Sequence, residues 1–186
     1  MSNLKRLIVT AMLIALCVVL PMAFHSIPRA GSIILPMHIP VLLAGLICGW
    51  KFGLLAGVLG PFLSASLTGM PPLGGVAELM MIELGIYGLV SGVVMHFIHT
   101  RRASFDLYIS LIAAMLVGRV VAGIGQYAYF FSGMEGESYT WALWTASYFV
   151  TSLPGIVIQL AFVPSVVMAL ERERVIPLRY PLATGA

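Results

Sequence analysis

The stretch VLLAGLICGWKFGLLAGVL, Val41 to Leu59, decides the fold. Two apolar runs meet at Gly49-Trp50-Lys51-Phe52-Gly53, where a lysine breaks the hydrocarbon pattern and two glycines free the backbone to turn. The reading is a tight hairpin of two short helices, each crossing lipid or partly re-entering it. Working outward, apolar runs recur along the chain at 5–24, 36–50, 52–67, 75–98, 106–131 and 142–171. A helix needs about 20 such residues to cross a hydrocarbon core of roughly 30 Å. The fifth and sixth runs exceed that length, which implies tilt or projecting ends.

Composition agrees. Of 186 residues, 60% are hydrophobic and 9% charged, where soluble domains carry about 25% charged residues; the mean hydropathy is +1.03. The expected fold is therefore an all-α integral membrane protein, one transmembrane domain over 1–186 with six helices. The first run follows Lys5 and Arg6, but Leu20-Pro21-Met22 gives no small-x-small cleavage site, so it reads as a retained span. Cys17 and Cys48 fall in spans without metal-like spacing and read as small apolar fillers.

Charge sets the orientation. With the N-terminus in the cytoplasm, Lys5, Arg6, Lys51, Arg101, Arg102, Arg172, Arg174 and Arg179 all lie inside, and Arg29 alone lies in an outer loop. Both termini are then cytoplasmic, with outer loops at 25–35, 68–74 and 132–141. No basic stripe interleaved with aromatics points to nucleic acid. No phosphate-binding loop appears either, so any ATP hydrolysis must come from a partner.

Ionisable groups inside a bilayer cost about 2.5–3.5 kcal/mol each on insertion scales, so they face inward and mark function or pairing. Two stand out, Glu83 on the fourth span and Arg119 on the fifth. Helical rise puts both between the outer half and the middle of the membrane, close enough in depth to pair with each other or to bind a ligand. Other polar groups gather at the same outer level: Glu78, Gln126, Tyr127, Trp144, Tyr148, Thr151 and Ser152. Trp141 and Trp144 read first as part of an interfacial aromatic belt, with ligand contact the alternative. Tyr148, one turn deeper, is placed to stack on a flat ligand. Gln159 lies near mid-membrane, where it can bond to a neighbouring helix, and Gly123, one turn above Arg119, lets a helix or ligand approach. Pro36-Met37-His38-Ile39-Pro40 reads as the first turn of the second span, holding His38 at the mouth of this polar level.

Other activities fit less well. Ser91-Gly92 lacks the glycine two residues before the serine that a rhomboid-like protease would need, and Glu78 and Glu83 are not a paired dyad. His25 and His38 fall on the outer side and His96 and His99 on the inner, so they cannot share a metal. A self-sufficient small transporter or channel is the main alternative, although 1–98 and 99–186 show no internal symmetry. An intramembrane enzyme ranks below it.

The segments MHIPVLLAGLICG, GPFLSASLTGMPPL and IELGIYGLVSGVV, with Ala11-xxx-Ala15 on the first span, resemble the substrate-binding S component of energy-coupling factor (ECF) vitamin transporters. The resemblance runs from Lys5 to about Glu173. It implies a non-enzymatic, multi-pass subunit in the plasma membrane of a prokaryote, with no cofactor of its own. Such a subunit captures a vitamin or precursor at the outer face and docks on a transmembrane coupling protein with two cytoplasmic ATPases that use ATP. It implies docking through Ala11 and Ala15, and a pocket between spans four, five and six under the outer loops. The expected binding residues are Glu83, Arg119, His38, Gln126, Tyr148, Glu78, Gly123 and Trp144. One arginine, one glutamate and several aromatics suit pantothenate, whose carboxylate would take Arg119; a pyrimidine or pyridine precursor stacked on Tyr148 is the other choice.

Overall fold

A computed structural model describes residues 1–24, 30–131 and 141–177. Helix α1 spans Asn3–Ala23, capped by the Ser2 hydroxyl, which accepts from the Lys5 amide at 3.4 Å. Next come a short α2, Ala30–Ile34, and α3, His38–Leu43, separated by Leu35 at φ 54°. α3 runs on through a wider π-type turn, Ala44–Cys48, that stops at Gly49 with φ 97°. A side chain would strain that backbone, so the glycine makes the hairpin. α4 is Trp50–Thr68, closed by Gly69 in the left-handed region, and α5 is Val76–Phe97. α6, Ala103–Phe131, has 29 residues, roughly 44 Å of helix. A short α7, Trp141–Thr145, passes through a second π-type turn, Ala146–Thr151, into α8, Leu153–Arg172.

Among the described residues, six segments are long and apolar enough to cross a membrane: Asn3–Ala23, Gly31–Cys48, Trp50–Thr68, Val76–Phe97, Ala103–Tyr129 and Leu153–Arg172. The all-helical, six-span architecture follows the sequence reading, with two corrections. The second span begins near Gly31 and is built from broken pieces, because Leu35 and Pro36 interrupt it. The sixth is not one helix over 142–171. It breaks at Ser152, just before Pro154, whose ring and missing N–H cannot continue the preceding ladder. The outer-loop segments 25–29 and 132–140, with His25 and Arg29, lie outside the described residues, as does Arg179.

Small residues bring the helices together, as expected where lipid gives no hydrophobic drive between them. α4 lies against α5 with almost no space: a methyl group on Gly53 would run into the backbone of Gly45 and Gly88, and one on Gly88 into Gly53. Gly57 meets the Leu84 backbone in the same way. Along α1 only Thr10, Leu13 and Cys17 are buried, a single stripe facing α3 and α4. Ile112, Leu116, Val120 and Ile124 form an outward apolar stripe on α6, suited to contact with lipid.

The ends are distinct. Arg6, Lys51 and His96 surround one cavity, and the Ser104 hydroxyl meets the Met168 sulfur at 3.4 Å, so the basic ends of α1, α4, α5, α6 and α8 gather together. At the other end the Tyr129 hydroxyl donates to the Gly74 carbonyl at 2.7 Å, and Gly155 abuts the carbonyls of Ile33 and Ile34.

The α4–α5 seam should tolerate no added volume. Gly88→Ala is expected to destabilise the detergent-solubilised protein by about 2 kcal/mol or more, the range for overpacking a tight contact. Gly31→Ala, which meets nothing within 4 Å, should stay within about 0.5 kcal/mol. Equal melting temperatures for the two variants would contradict the packing.

Candidate functional site

Arg119 is the centre of the polar end. It sits on α6 with 2% of its surface exposed, so each guanidinium donor must find a partner or carry a heavy desolvation cost. Nε donates to the Tyr87 hydroxyl at 2.9 Å. Nη1 donates to the Ser152 hydroxyl at 3.0 Å and to the Tyr148 carbonyl. The guanidinium also lies over the Phe149 ring, 5.5 Å from its centroid. These partners exist because the last span is broken: Tyr148 lies within the wide turn and Ser152 at the step into α8. Irregular backbone of this kind persists at membrane depth only where protein or a cavity satisfies it.

None of these hydrogen bonds uses Nη2. Arg119 lines a cavity of about 180 Å³ together with Ser32, Leu35, Glu83, Ser147, Tyr148 and Ser152. Glu83 enters from α5, its carboxylate 3.7 Å from the imidazole Nε2 of His38. His38 is 1% exposed, and its ring meets Tyr87 edge to face at 5.0 Å. Tyr87 thus links the two, touching His38 through its ring and accepting from Arg119 at its hydroxyl. Neither ring nitrogen of His38 has a hydrogen bond among the described residues, and the Glu83 carboxylate is its ionic neighbour.

Of the two readings open for Glu83 and Arg119, pairing with each other or binding a ligand, the pair does not form. Glu83 is partnered by His38, and Arg119 by Tyr87, Ser152 and the Tyr148 carbonyl. The broken backbone of the last span and the phenol of Tyr87 hold the arginine without a carboxylate. Both charges are left with free capacity on one small chamber: Glu83 can accept, and Arg119 can donate.

The other expected residues separate by position. Tyr148 lines the chamber, and its hydroxyl donates to Gln126 Oε1 at 3.1 Å, so Gln126 supports the wall from α6. Gly123 gives room to the Trp144 indole, which would collide with any side chain there. Trp144 is 7% exposed and packs on Phe149 at 5.3 Å and on Tyr148 at 6.3 Å, a buried prop and not an exposed belt residue. Glu78 is exposed; its carboxylate accepts from the Gly74 and Gly75 amides at 3.2 and 2.6 Å and caps its own helix. It lies off the chamber wall. Ala11 and Ala15 are exposed on α1, which packs on α3 and α4.

Sequence reading missed Tyr87, Phe149, Ser32 and Ser147. Tyr87 carried one signal: a phenol one turn from Glu83 on the same helix face, needing a partner in lipid. The lining serines carried none, because the place of Ser32 depends on α2 packing on α8 and that of Ser147 on the break in the last span.

The chain matches the family model described as "ECF transporter, substrate-specific component" over residues 5–167 and belongs to that family. No curated protein and no solved structure matches it.

Proposed function

We propose that this membrane substrate-binding subunit of an ECF transporter captures a compact vitamin or vitamin precursor bearing a carboxylate, pantothenate before others, in the chamber between Glu83 and Arg119. The observation that carries the reading is that both charges face one cavity with hydrogen-bonding capacity to spare. A carboxylate meeting Arg119 Nη2 gains a charge-assisted bond. The guanidinium is already fixed by Tyr87, Ser152 and the Tyr148 carbonyl, so little ordering cost remains at binding. A ligand hydroxyl or amide N–H can then donate to Glu83, with His38 behind it. At about 180 Å³ the chamber is small beside the roughly 300–1,000 Å³ of drug-sized sites, which favours a short polar molecule over a fused-ring vitamin.

Binding alone moves nothing across a membrane. Members of this family work with a membrane coupling module and ATPases. In our reading Ala11 and Ala15 form the docking surface for the coupling protein, their exposure on α1 leaving room for close helix approach. The binding chamber lies at the end opposite the basic residues, which the positive-inside rule turns to the outside.

Two outcomes test this. A ligand at 1,000 times its dissociation constant stabilises a protein by about 4 kcal/mol, so pantothenate should raise the melting temperature of the purified chain. Its alcohol analogue, lacking the carboxylate, should bind more weakly by about 2 kcal/mol. Arg119→Met should lose that discrimination between acid and alcohol, a readout that general loss of stability does not mimic. Equal affinity of the unaltered protein for both compounds would refute a carboxylate on Arg119. For docking, Ala11→Trp should abolish vitamin uptake by cells while the purified variant keeps its affinity; unimpaired uptake would remove α1 from the interface.

A further inference from the structure

The larger cavity, about 920 Å³, lies at the opposite, basic end, between the start of α1, the Gly49 hairpin and the end of α5. Its basic lining residues are Arg6, Lys51 and His96, and among the described residues no aspartate or glutamate lines it. Arg6 Nε is sealed from solvent and has no hydrogen-bond partner. A ligand in the cavity therefore meets the guanidinium through its terminal nitrogens. The start of α4 adds to the field: Gly49 offers no side-chain cap, so the first amides of this 19-residue helix point their partial positive charge at the same space.

The flank of this cavity is apolar. Leu4 and Leu7 line it while remaining 67% and 52% exposed, and they continue the open outer face of α1. At its rim Lys51 Nζ sits 5.3 Å from the centroid of the Trp50 ring, and Trp50 is 41% exposed. A tryptophan beside a lysine at a helix end marks the headgroup level of a bilayer. A water-soluble anion would use the cations and leave the leucines idle, whereas a phospholipid uses both.

We infer that this cavity holds the phosphodiester of an anionic phospholipid of the cytoplasmic leaflet, with Arg6 and Lys51 on the phosphate and an acyl chain along Leu4 and Leu7. Basic pockets between membrane helices on the cytoplasmic side take anionic headgroups for this reason. The lipid would brace the α1 amino end against the α3–α4 hairpin, next to the surface assigned to docking. The inference stands apart from the vitamin chamber and does not depend on its ligand.

Native mass spectrometry of the full detergent-purified chain, titrated with phosphatidylglycerol or phosphatidylcholine, tests it. One phosphatidylglycerol should be retained in clear preference to phosphatidylcholine. Arg6→Gln and Lys51→Gln should each weaken phosphatidylglycerol by about fivefold and leave phosphatidylcholine unchanged. Lys51 is exposed, so its variant remains informative if Arg6→Gln folds poorly. Millimolar inorganic phosphate should not displace the lipid. Equal retention of the two lipids, an unchanged preference in Lys51→Gln, or displacement by inorganic phosphate would overturn the proposal.

Discussion

A guanidinium inside a membrane protein must have its donors answered, and the half of this structure opposite the basic end is organised around answering those of Arg119. Its partners come from three places: a phenol on α5, a hydroxyl at the foot of α8, and a main-chain carbonyl in the wide turn before it. The last can be offered because the helix is interrupted. A regular span over 142–171 would commit its carbonyls to its own ladder. Pro154 ends that ladder, and the interruption turns Ser147, Tyr148 and Ser152 toward the same chamber that Arg119 and Glu83 enter. One buried charge therefore links the break in the chain, the placement of Tyr87 and the shape of the cavity.

Most of the architecture was legible in the sequence, because in a bilayer the length of an apolar run and the residues that punctuate it are nearly the whole constraint. Gly49 and Lys51 placed the hairpin correctly, and Gly49 adopts the positive φ that only glycine takes without strain. Depth was legible too, since Glu83 and Arg119 do reach one cavity. Partnership was not. Opposite charges at one depth left a pair or a ligand site open, but the phenol of Tyr87 and a carbonyl freed by a broken helix take up the arginine, and neither follows from charge. Glu78 misled for a related reason. Its spacing from Gly75 is that of a capping residue, and the amides at the start of α5 claim its carboxylate locally.

The two ends of the molecule divide the work. The basic end carries a large cavity beside α1, and the opposite end carries a small chamber walled by α2, α5, α6 and the broken last span. Between them the α4–α5 seam is packed backbone to backbone at Gly53 and Gly88, which makes that pair a rigid spine. α1 is attached to this spine by one narrow stripe and keeps most of its surface free. A subunit built this way can hold a ligand and present a helix, and the family to which it belongs leaves energy conversion to other chains.

The central claim is that the chamber between Glu83 and Arg119 is the substrate site and opens to the outside. Ser147 lines it and is exposed, while both native cysteines, Cys17 and Cys48, are buried. In intact cells, a cysteine placed by Ser147→Cys should react with a membrane-impermeant maleimide, and pantothenate should suppress the labelling at concentrations that saturate binding. Labelling only after the cytoplasmic face is exposed, or a rate indifferent to a vitamin that binds the purified protein, would contradict the account.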